Sequence, residues 1–515
     1  MRKWGPLLAV CLGTFMLLLD VTITVVALPD ISQELHTSAS ALAWVMDGYA
    51  LALAAALLTL GTVADRHGQR RVYLVGLAVF TLASLLCGLA PSAIVLIAMR
   101  IVQGLGAAAM FATSLSLLRT TYTGRDRAAA LGTWGAVASA AAALGPLAGG
   151  VLTQVFGWGW IFFVNIPVGV LAVVLTLRLV PAPVVRASGE RGRVDVPGML
   201  LFAAFASGLL YAMIRAHEGG WTSPGTLVPL VVAVLALIAF VLVQRRTTHP
   251  LLDLALLRRP VFLAALVAIF VGEFTAYGFM AYTSVWLQSL TGLSPMGAGL
   301  VMLPSSAASM VVALLAGRLL HRVAARYSLP LGLLLVAAGA FAQSFLTASS
   351  AGLTLLAGMV LSGIGMGMVI PQSSHLAVEA VPQERAGMAS GAFTTFQQLG
   401  YALGVAIFGT LVASAAQSTL TGHVADAHAA SQQLTGGSAH QLLDQAPAGG
   451  RQAMDHLLRT AFTHGLNTVA VIGGLLAVAA ALFCAVALRR QARGTAEAQA
   501  DARSRAARAT DAVLS

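Results

Sequence analysis

The sequence predicts an all-α membrane protein that crosses the bilayer fourteen times. Composition excludes an ordinary soluble domain: 58% of the 515 residues are hydrophobic, 10% are charged, and the mean hydropathy is +0.85. Fourteen apolar stretches of about 20 residues each suit the thickness of a hydrocarbon core. Placing the N-terminus in the cytoplasm and alternating sides puts 26 of the 30 basic residues inside. Only Arg215, Arg451 and Arg459 fall outside, and Arg100 lies within the fourth span. Cytoplasmic loops collect Arg and Lys, and an odd number of spans would destroy this asymmetry, so both termini are expected in the cytoplasm. The same distribution explains the formal net charge of +11 without a nucleic-acid partner.

The first six spans cover residues 5–28, 42–64, 72–90, 92–118, 131–154 and 160–180. Arg2 and Lys3 precede the first as they would a signal peptide, but the apolar run continues past Asp20 to Leu28, which reads as a retained helix. Two further spans, 194–214 and 227–243, precede a final six at 260–286, 296–318, 329–347, 352–374, 388–415 and 465–488. The organisation expected is a six-helix bundle in residues 1–190, two inserted helices in 191–250 and a second six-helix bundle in 251–488. The second bundle carries a long extracytoplasmic loop, 414–464, and a polar cytoplasmic tail follows at 489–515. That loop holds five of the eleven histidines, but no pair has a ligand spacing on one helix face, so no metal site is expected. Cys11, Cys87 and Cys484 all lie in apolar runs, where a thiol serves as a small hydrophobe.

An internal repeat relates the two bundles. Residues 317–326, G-R-L-L-H-R-V-A-A-R, align with residues 61–70 at an offset of 256, so that Gly61, Arg66 and Arg70 meet Gly317, Arg322 and Arg326. Asp65 becomes His321 and Gly68 becomes Ala324. A second echo pairs Asp126-Arg127-Ala128 with Glu384-Arg385-Ala386 at a nearly equal offset. Parallel repeats of this kind are the architecture of a secondary transporter.

Residues 61–71 read G-T-V-A-D-R-H-G-Q-R-R, a charged turn between two long apolar runs. With Gly61, Asp65, Arg66, Gly68 and Arg70 in place, the stretch resembles the loop between helices 2 and 3 of the major facilitator superfamily. The resemblance implies the major facilitator fold, with these residues as a conformational latch in which Asp65 reaches the N-terminus of the thirteenth span near Ala386. Residues 17–29, L-L-L-D-V-T-I-T-V-V-A-L-P, resemble the helix 1 signature of the fourteen-helix drug:proton antiporters. Residues 135–150 end in G-P-L-A-G-G and resemble the antiporter motif of proton-coupled exporters, carried by Gly145, Pro146, Gly149 and Gly150. Pro146 removes a backbone donor, and the glycines offer a smooth surface for a neighbouring helix. Residues 158–169, W-G-W-I-F-F-V-N-I-P-V-G, resemble the entry to helix 6 of the same group, with Gly159 where an arginine is common.

Charge within hydrocarbon is costly, so ionisable residues at depth are functional candidates. Asp20, Arg100 and Glu273 are the expected proton-coupling residues, Arg100 because the resemblance implies that its position assists proton movement, and Asp20 is the expected obligatory carrier. A hydrated, lumen-facing acid is the plain alternative for Asp20. Arg100 sits in R-I-V-Q-G-L-G with Gln103 on its face, and needs a carboxylate, water or carbonyl as acceptor; a structural anchor that pairs with backbone carbonyls is its plain alternative. Glu273 has Phe270, Phe274 and Tyr277 near it, a setting suited to a lipophilic cation, although aromatics at helical spacing also simply pack. Gln103, Phe270, Phe274 and Tyr277 are therefore expected to line the substrate cavity. Asp47, near the outer end of the second span, is expected at the membrane interface.

These features imply proton-coupled export of small lipophilic or cationic compounds, drugs and antibiotics among them, across the cytoplasmic membrane by alternating access. Nothing calls for a cofactor, and the partners expected are substrate, protons and lipid for a monomeric chain that is not an enzyme. Lys3 is the sole lysine, so a phosphate-binding G-x-x-x-x-G-K-[ST] loop cannot be assembled in this chain. No H-E-x-x-H or G-x-S-x-G occurs to support a hydrolase. An uptake permease or lipid flippase of the same fold, and a sensor that binds without transporting, remain the alternatives.

Overall fold

A computed structural model describes residues 2–181, 195–219, 222–247, 250–319, 324–381, 386–444, 446–447 and 450–514. The side chains of Asp65, Arg66 and Ala386, and all of His321 and residues 382–385, lie outside the described residues, so the contact expected of Asp65 does too. Among the described residues there is no β-strand, only an isolated bridge between Thr421 and Val424.

The chain runs through α1 (Gly5–Leu35), α2 (Ala39–His67), α3 (Gln69–Gly88), α4 (Ala93–Thr121), α5 (Gly124–Phe156), α6 (Trp160–Phe163) and α7 (Asn165–Leu179). There follow α8 (Val196–Gly219), α9 (Pro224–Arg246), α10 (Pro260–Ser289), α11 (Pro295–Leu319), α12 (Ala325–Ala342) and α13 (Leu356–Glu379). The last elements are α14 (Ala386–Leu420), α15 (Ala427–Thr435), α16 (Ala439–Asp444) and α17 (Arg451–Leu514). Thirteen helical segments among the described residues are long and apolar enough to cross a membrane. The predicted fifth span lies on α5, an uninterrupted helix of 33 residues whose fully described apolar part is Leu144–Phe156. The predicted sixth is broken at Val164 into α6 and α7, and Pro167 falls in the first turn of α7, where its missing N–H costs nothing.

Turn chemistry follows from the sequence. Gly68 joins α2 to α3 at φ 92°, a conformation that would strain a side chain, and Gly157 ends α5 at φ 93°. Ser38 caps α2 by accepting from the Ala41 N–H, and Asp426 caps α15 by accepting from the Ala429 N–H. Asp195 gathers three donors at the foot of the inserted pair: the N–H groups of Gly198 (2.8 Å) and Leu251 (3.3 Å) and Nε2 of Gln244 (2.5 Å).

Packing in one half repeats in the other. Helix α4 lies against α2 and α3 as α13 lies against α11 and α12, and α1 pairs with α5 as α10 pairs with α14. The halves meet where α5 runs along α11 and where α14 runs along α2, with Gln288 donating to the Val26 carbonyl at 2.8 Å. The hairpin of α8 and α9 leans through α8 on α2 and α14. The outward surface of α9, including Val231, Leu235 and Ile238, is left exposed for lipid.

Residues 414–464 do not stand apart from the bundles as the sequence suggests. Helix α14 continues to Leu420, and Ala430, Leu434 and Ala439 are buried in the core that also holds Leu28, Ile31 and Leu42. Gly437, at φ 86°, rests against Pro29 and Val285, so this segment covers the junction of α1 and α10. Helix α17 carries straight on from the last span through the polar tail to Leu514.

Candidate functional site

The ionisable residues of the first half converge on one buried cluster. The Asp20 carboxylate on α1 is paired with Nη1 of Arg100 on α4, and both side chains are essentially inaccessible, at 0% and 2% exposure. Three donors share that carboxylate: Nη1 of Arg100, Nε2 of Gln103 at 2.9 Å and Nδ2 of Asn165 at 2.8 Å. Arg100 is held on its other edges as well, donating from Nε to the Val45 carbonyl at 3.0 Å and from Nη1 to Oε1 of Gln103 at 2.7 Å. Its guanidinium lies over the Tyr49 ring, 4.4 Å from the centroid, and 5.7 Å from that of Phe162. Ser84 on α3 accepts from Gln103 at 2.8 Å and joins the same network. A buried pair is tolerable only when its spare lone pairs and protons are satisfied in this way.

Local sequence explains the convergence. Arg100 and Gln103 lie three residues apart, which places both on one face of α4. Gly104 sits against the Tyr49 carbonyl and Gly106 against the backbone of Gly76 and Phe80, so α2 and α3 approach α4 closely enough for side chains to cross. Gln103, expected in the substrate cavity, is instead a fully buried member of this cluster. Ser84, Asn165 and Tyr49 escaped sequence reasoning. The one available signal was a polar residue at the heart of an apolar span.

Glu273, in the second half, is separate. Its carboxylate accepts from Nε2 of Gln397 on α14 at 2.6 Å, and it is 6% exposed. Phe270 and Phe274 stack with centroids 6.2 Å apart, and Phe274 meets Phe408 edge-on at 4.9 Å. Tyr277 is partly buried one turn along α10, within hydrogen-bonding reach of Ser309. Of the aromatic residues expected around Glu273, Tyr277 lies within electrostatic reach of its carboxylate, and Gln397 is a partner that sequence did not reveal.

Asp47 departs from expectation. It is fully buried rather than interfacial, and neither carboxylate oxygen has a hydrogen-bond partner among the described residues. Helix α14 packs along α2 and covers it, bringing Tyr401 within electrostatic reach, with Tyr282 of α10 also near. A reading of α2 alone cannot register that cover.

Residues 10–405 match the family model described as Major Facilitator Superfamily. The chain belongs to the major facilitator superfamily. It is 39% identical over 420 residues to "Multidrug resistance protein Stp" of Mycobacterium tuberculosis (strain CDC 1551 / Oshkosh), spanning 81% of this chain and 77% of that one. It is 35% identical over 497 residues to "Tetracenomycin C resistance and export protein" of Streptomyces glaucescens, spanning 94% and 91% of the two chains. Among solved structures, a bacterial homolog of the human lysosomal transporter Spinster, inward-facing and unoccupied, superposes with TM-score 0.66 at 18% identity, over 95% of this chain and 97% of that one, a likeness of fold.

The remaining superfamily motifs lie where the halves meet or turn. In the helix 5 motif, Gly145 and Gly149 face Thr22 and Ile23 of α1, while Gly150 lies against the backbone of Pro295 and Met296 on α11. Gly299 of α11 returns the contact against the Pro146 carbonyl. Helix α5 is thus wedged between α1 and α11, with backbone touching backbone. In the stretch 61–71, Gly68 makes the turn, Gly61 faces open space, and Nη2 of Arg70 donates to the Leu177 carbonyl at the end of α7 at 2.7 Å.

Proposed function

We propose that this superfamily member exports small lipophilic or cationic compounds, drugs and antibiotics among them, across the cell membrane in exchange for protons. The observation that carries the reading is the Asp20 carboxylate, buried in a membrane-spanning chain yet held by three donors on two other helices. Relatives named for multidrug resistance and for tetracenomycin C resistance and export support the substrate class.

The cluster is built to lose its charge pair without collapsing. When Asp20 takes a proton, Arg100 keeps the Val45 carbonyl and Oε1 of Gln103 as acceptors, so its donors stay partnered while its counter-charge is lost. Weakening the tie between α1 and α4 then changes how α1 sits against α5, and α5 against α11, which is the route from proton to alternating access. Glu273 and its aromatic neighbours receive the substrate, with Gln397 holding the empty carboxylate. Both termini lie in the cytoplasm, a monomer suffices, and the proton gradient is the sole energy source.

The test is substrate-dependent proton movement in proteoliposomes of the full chain. Wild-type protein should move protons opposite to the exported compound, and Asp20→Asn should abolish this coupled flux for every substrate. Co-directional flux would identify an uptake permease, and substrate binding with no flux a sensor.

A further inference from the structure

The second half contains a cavity at the place occupied in the first half by the Asp20 cluster, and packing fixes the correspondence. A Cβ on Gly76 would meet the Gly106 carbonyl at 2.9 Å, and one on Gly332 would meet the Gly365 carbonyl at 3.1 Å. Gly104 faces the Tyr49 carbonyl as Gly363 faces that of Ser305, and Gly145 faces Thr22 as Gly404 faces Gly278. These three pairs agree on an offset of 256 for α1 to α3 and 259 for α4 and α5.

With those offsets Asp20 corresponds to Ala276, Tyr49 to Ser305, Ser84 to Ala340, Arg100 to Met359 and Gln103 to Ser362. All five counterparts line the same cavity. The acid, the guanidinium and its aromatic cover have been exchanged for small or neutral side chains. Phe279, Met280 and Met302 fill most of the space they vacate, and the cavity that remains has room for one small polar group.

Among the described residues that line this cavity none is charged, so a cation would find no counter-ion there. Its polar walls are Thr275, Ser305, Gln343 and Ser362. Thr275 spends its hydroxyl on the Gly473 carbonyl at 3.3 Å, and Gln343 donates to the Gly339 carbonyl at 3.0 Å. The hydroxyls of Ser305 and Ser362 and the amide oxygen of Gln343 make no hydrogen bond among the described residues. Soft walls of Met280, Met302 and Met359 complete it, and thioethers repack around groups of differing shape.

We propose that this cavity is a neutral subsite that takes an uncharged hydroxyl or carbonyl group of the exported compound, leaving charge to Asp20 and Glu273. The proposal rests on the export reading for its ligand. It assigns the two repeats different chemistry at one shared position.

Two variants test it. Ser362→Ala removes a spare hydroxyl with almost no change in volume, and Ala340→Leu fills the space. Equilibrium binding to the purified full chain and proton-driven uptake into everted membrane vesicles, which reads export, are measured with a neutral hydroxylated anthraquinone and with tetraphenylphosphonium. The expected result is about a tenfold weaker binding of the anthraquinone in Ser362→Ala, the worth of one hydrogen bond lost. Ala340→Leu should weaken it at least tenfold more than it weakens tetraphenylphosphonium, and uptake into the everted vesicles should follow binding. Equal loss of both compounds would overturn the proposal, because the cavity would then matter only to the fold. Undiminished anthraquinone binding in both variants would equally overturn it, marking the cavity as a void or a water site. Wild-type protein that binds the anthraquinone through Ser362 but exports neither compound would sink the export reading and leave the subsite standing.

Discussion

Gly150→Ala perturbs the seam between the halves at one atom. A Cβ added there would lie 2.6 Å from the Pro295 carbonyl oxygen and 2.7 Å from Cα of Met296, against an ordinary contact of 3.4 Å or more. Both obstacles are backbone, so no rotamer change relieves them, and α5 and α11 must part by several tenths of an ångström. Forcing a methyl into a close-packed site costs about 1–3 kcal/mol. If the alternative conformation separates α5 from α11 and escapes that cost, the equilibrium moves toward it by roughly fivefold to 150-fold, at 1.4 kcal/mol per factor of ten. The assay is thiol labelling of single cysteines introduced along the facing surfaces of α5 and α11, in Gly150→Ala and in the parent. Labelling should rise on the side that opens as the seam parts. Unchanged labelling in protein made at normal levels would refute the idea that this seam reports the state of the transporter.

Glu273→Gln should lower export of a lipophilic cation at least tenfold while sparing a neutral compound; equal loss of the two, measured in the same vesicles, would move Glu273 into the coupling machinery. Asp65→Asn should leave folding intact and slow cycling, and identical cytoplasmic cavity labelling in variant and parent would discard the latch role. Pro146→Ala restores a backbone donor within α5 and should reduce export more than protein level, which quantitative blotting beside a transport assay decides. Asp47→Asn forfeits no hydrogen bond, since neither carboxylate oxygen has one among the described residues, and should match or exceed the parent in thermal stability. A collapse in yield would reveal a partner that the fold conceals.

Span existence was legible because apolar length is a local property: each predicted stretch falls on helix, the sixth on α6 and α7 together, with Gly68 and Gly157 supplying the turn chemistry at the ends of α2 and α5. The repeat was legible from ten residues of loop. What eluded the sequence was partnership across helices. Asp20 and Arg100 are each conspicuous alone, but nothing local says that Asn165, 145 residues beyond Asp20, donates to the same oxygen as Gln103. Gln103 was misplaced for the same reason, since a polar residue facing inward suits a cavity or a network equally until its neighbours are known. Asp47 failed in the opposite direction. It was expected at the membrane interface, and its burial came with α14, which begins more than 300 residues later.

The Asp20 cluster also dictates an order of assembly. Every side chain in it comes from the first 165 residues, whereas the Glu273–Gln397 bond needs α14 and the seams between halves need α11 and α14. During synthesis α1 enters the bilayer carrying a lone carboxylate, and its cation arrives 80 residues later on α4. Until then Asp20 must stay near water or the insertion machinery, which delays the settling of α1. Once α4 and α7 arrive, the pair closes and the first half becomes a finished template before the second has emerged. The partners of the first-half network are thus all synthesised before those of the second, and the seams between the halves wait for α11 and α14.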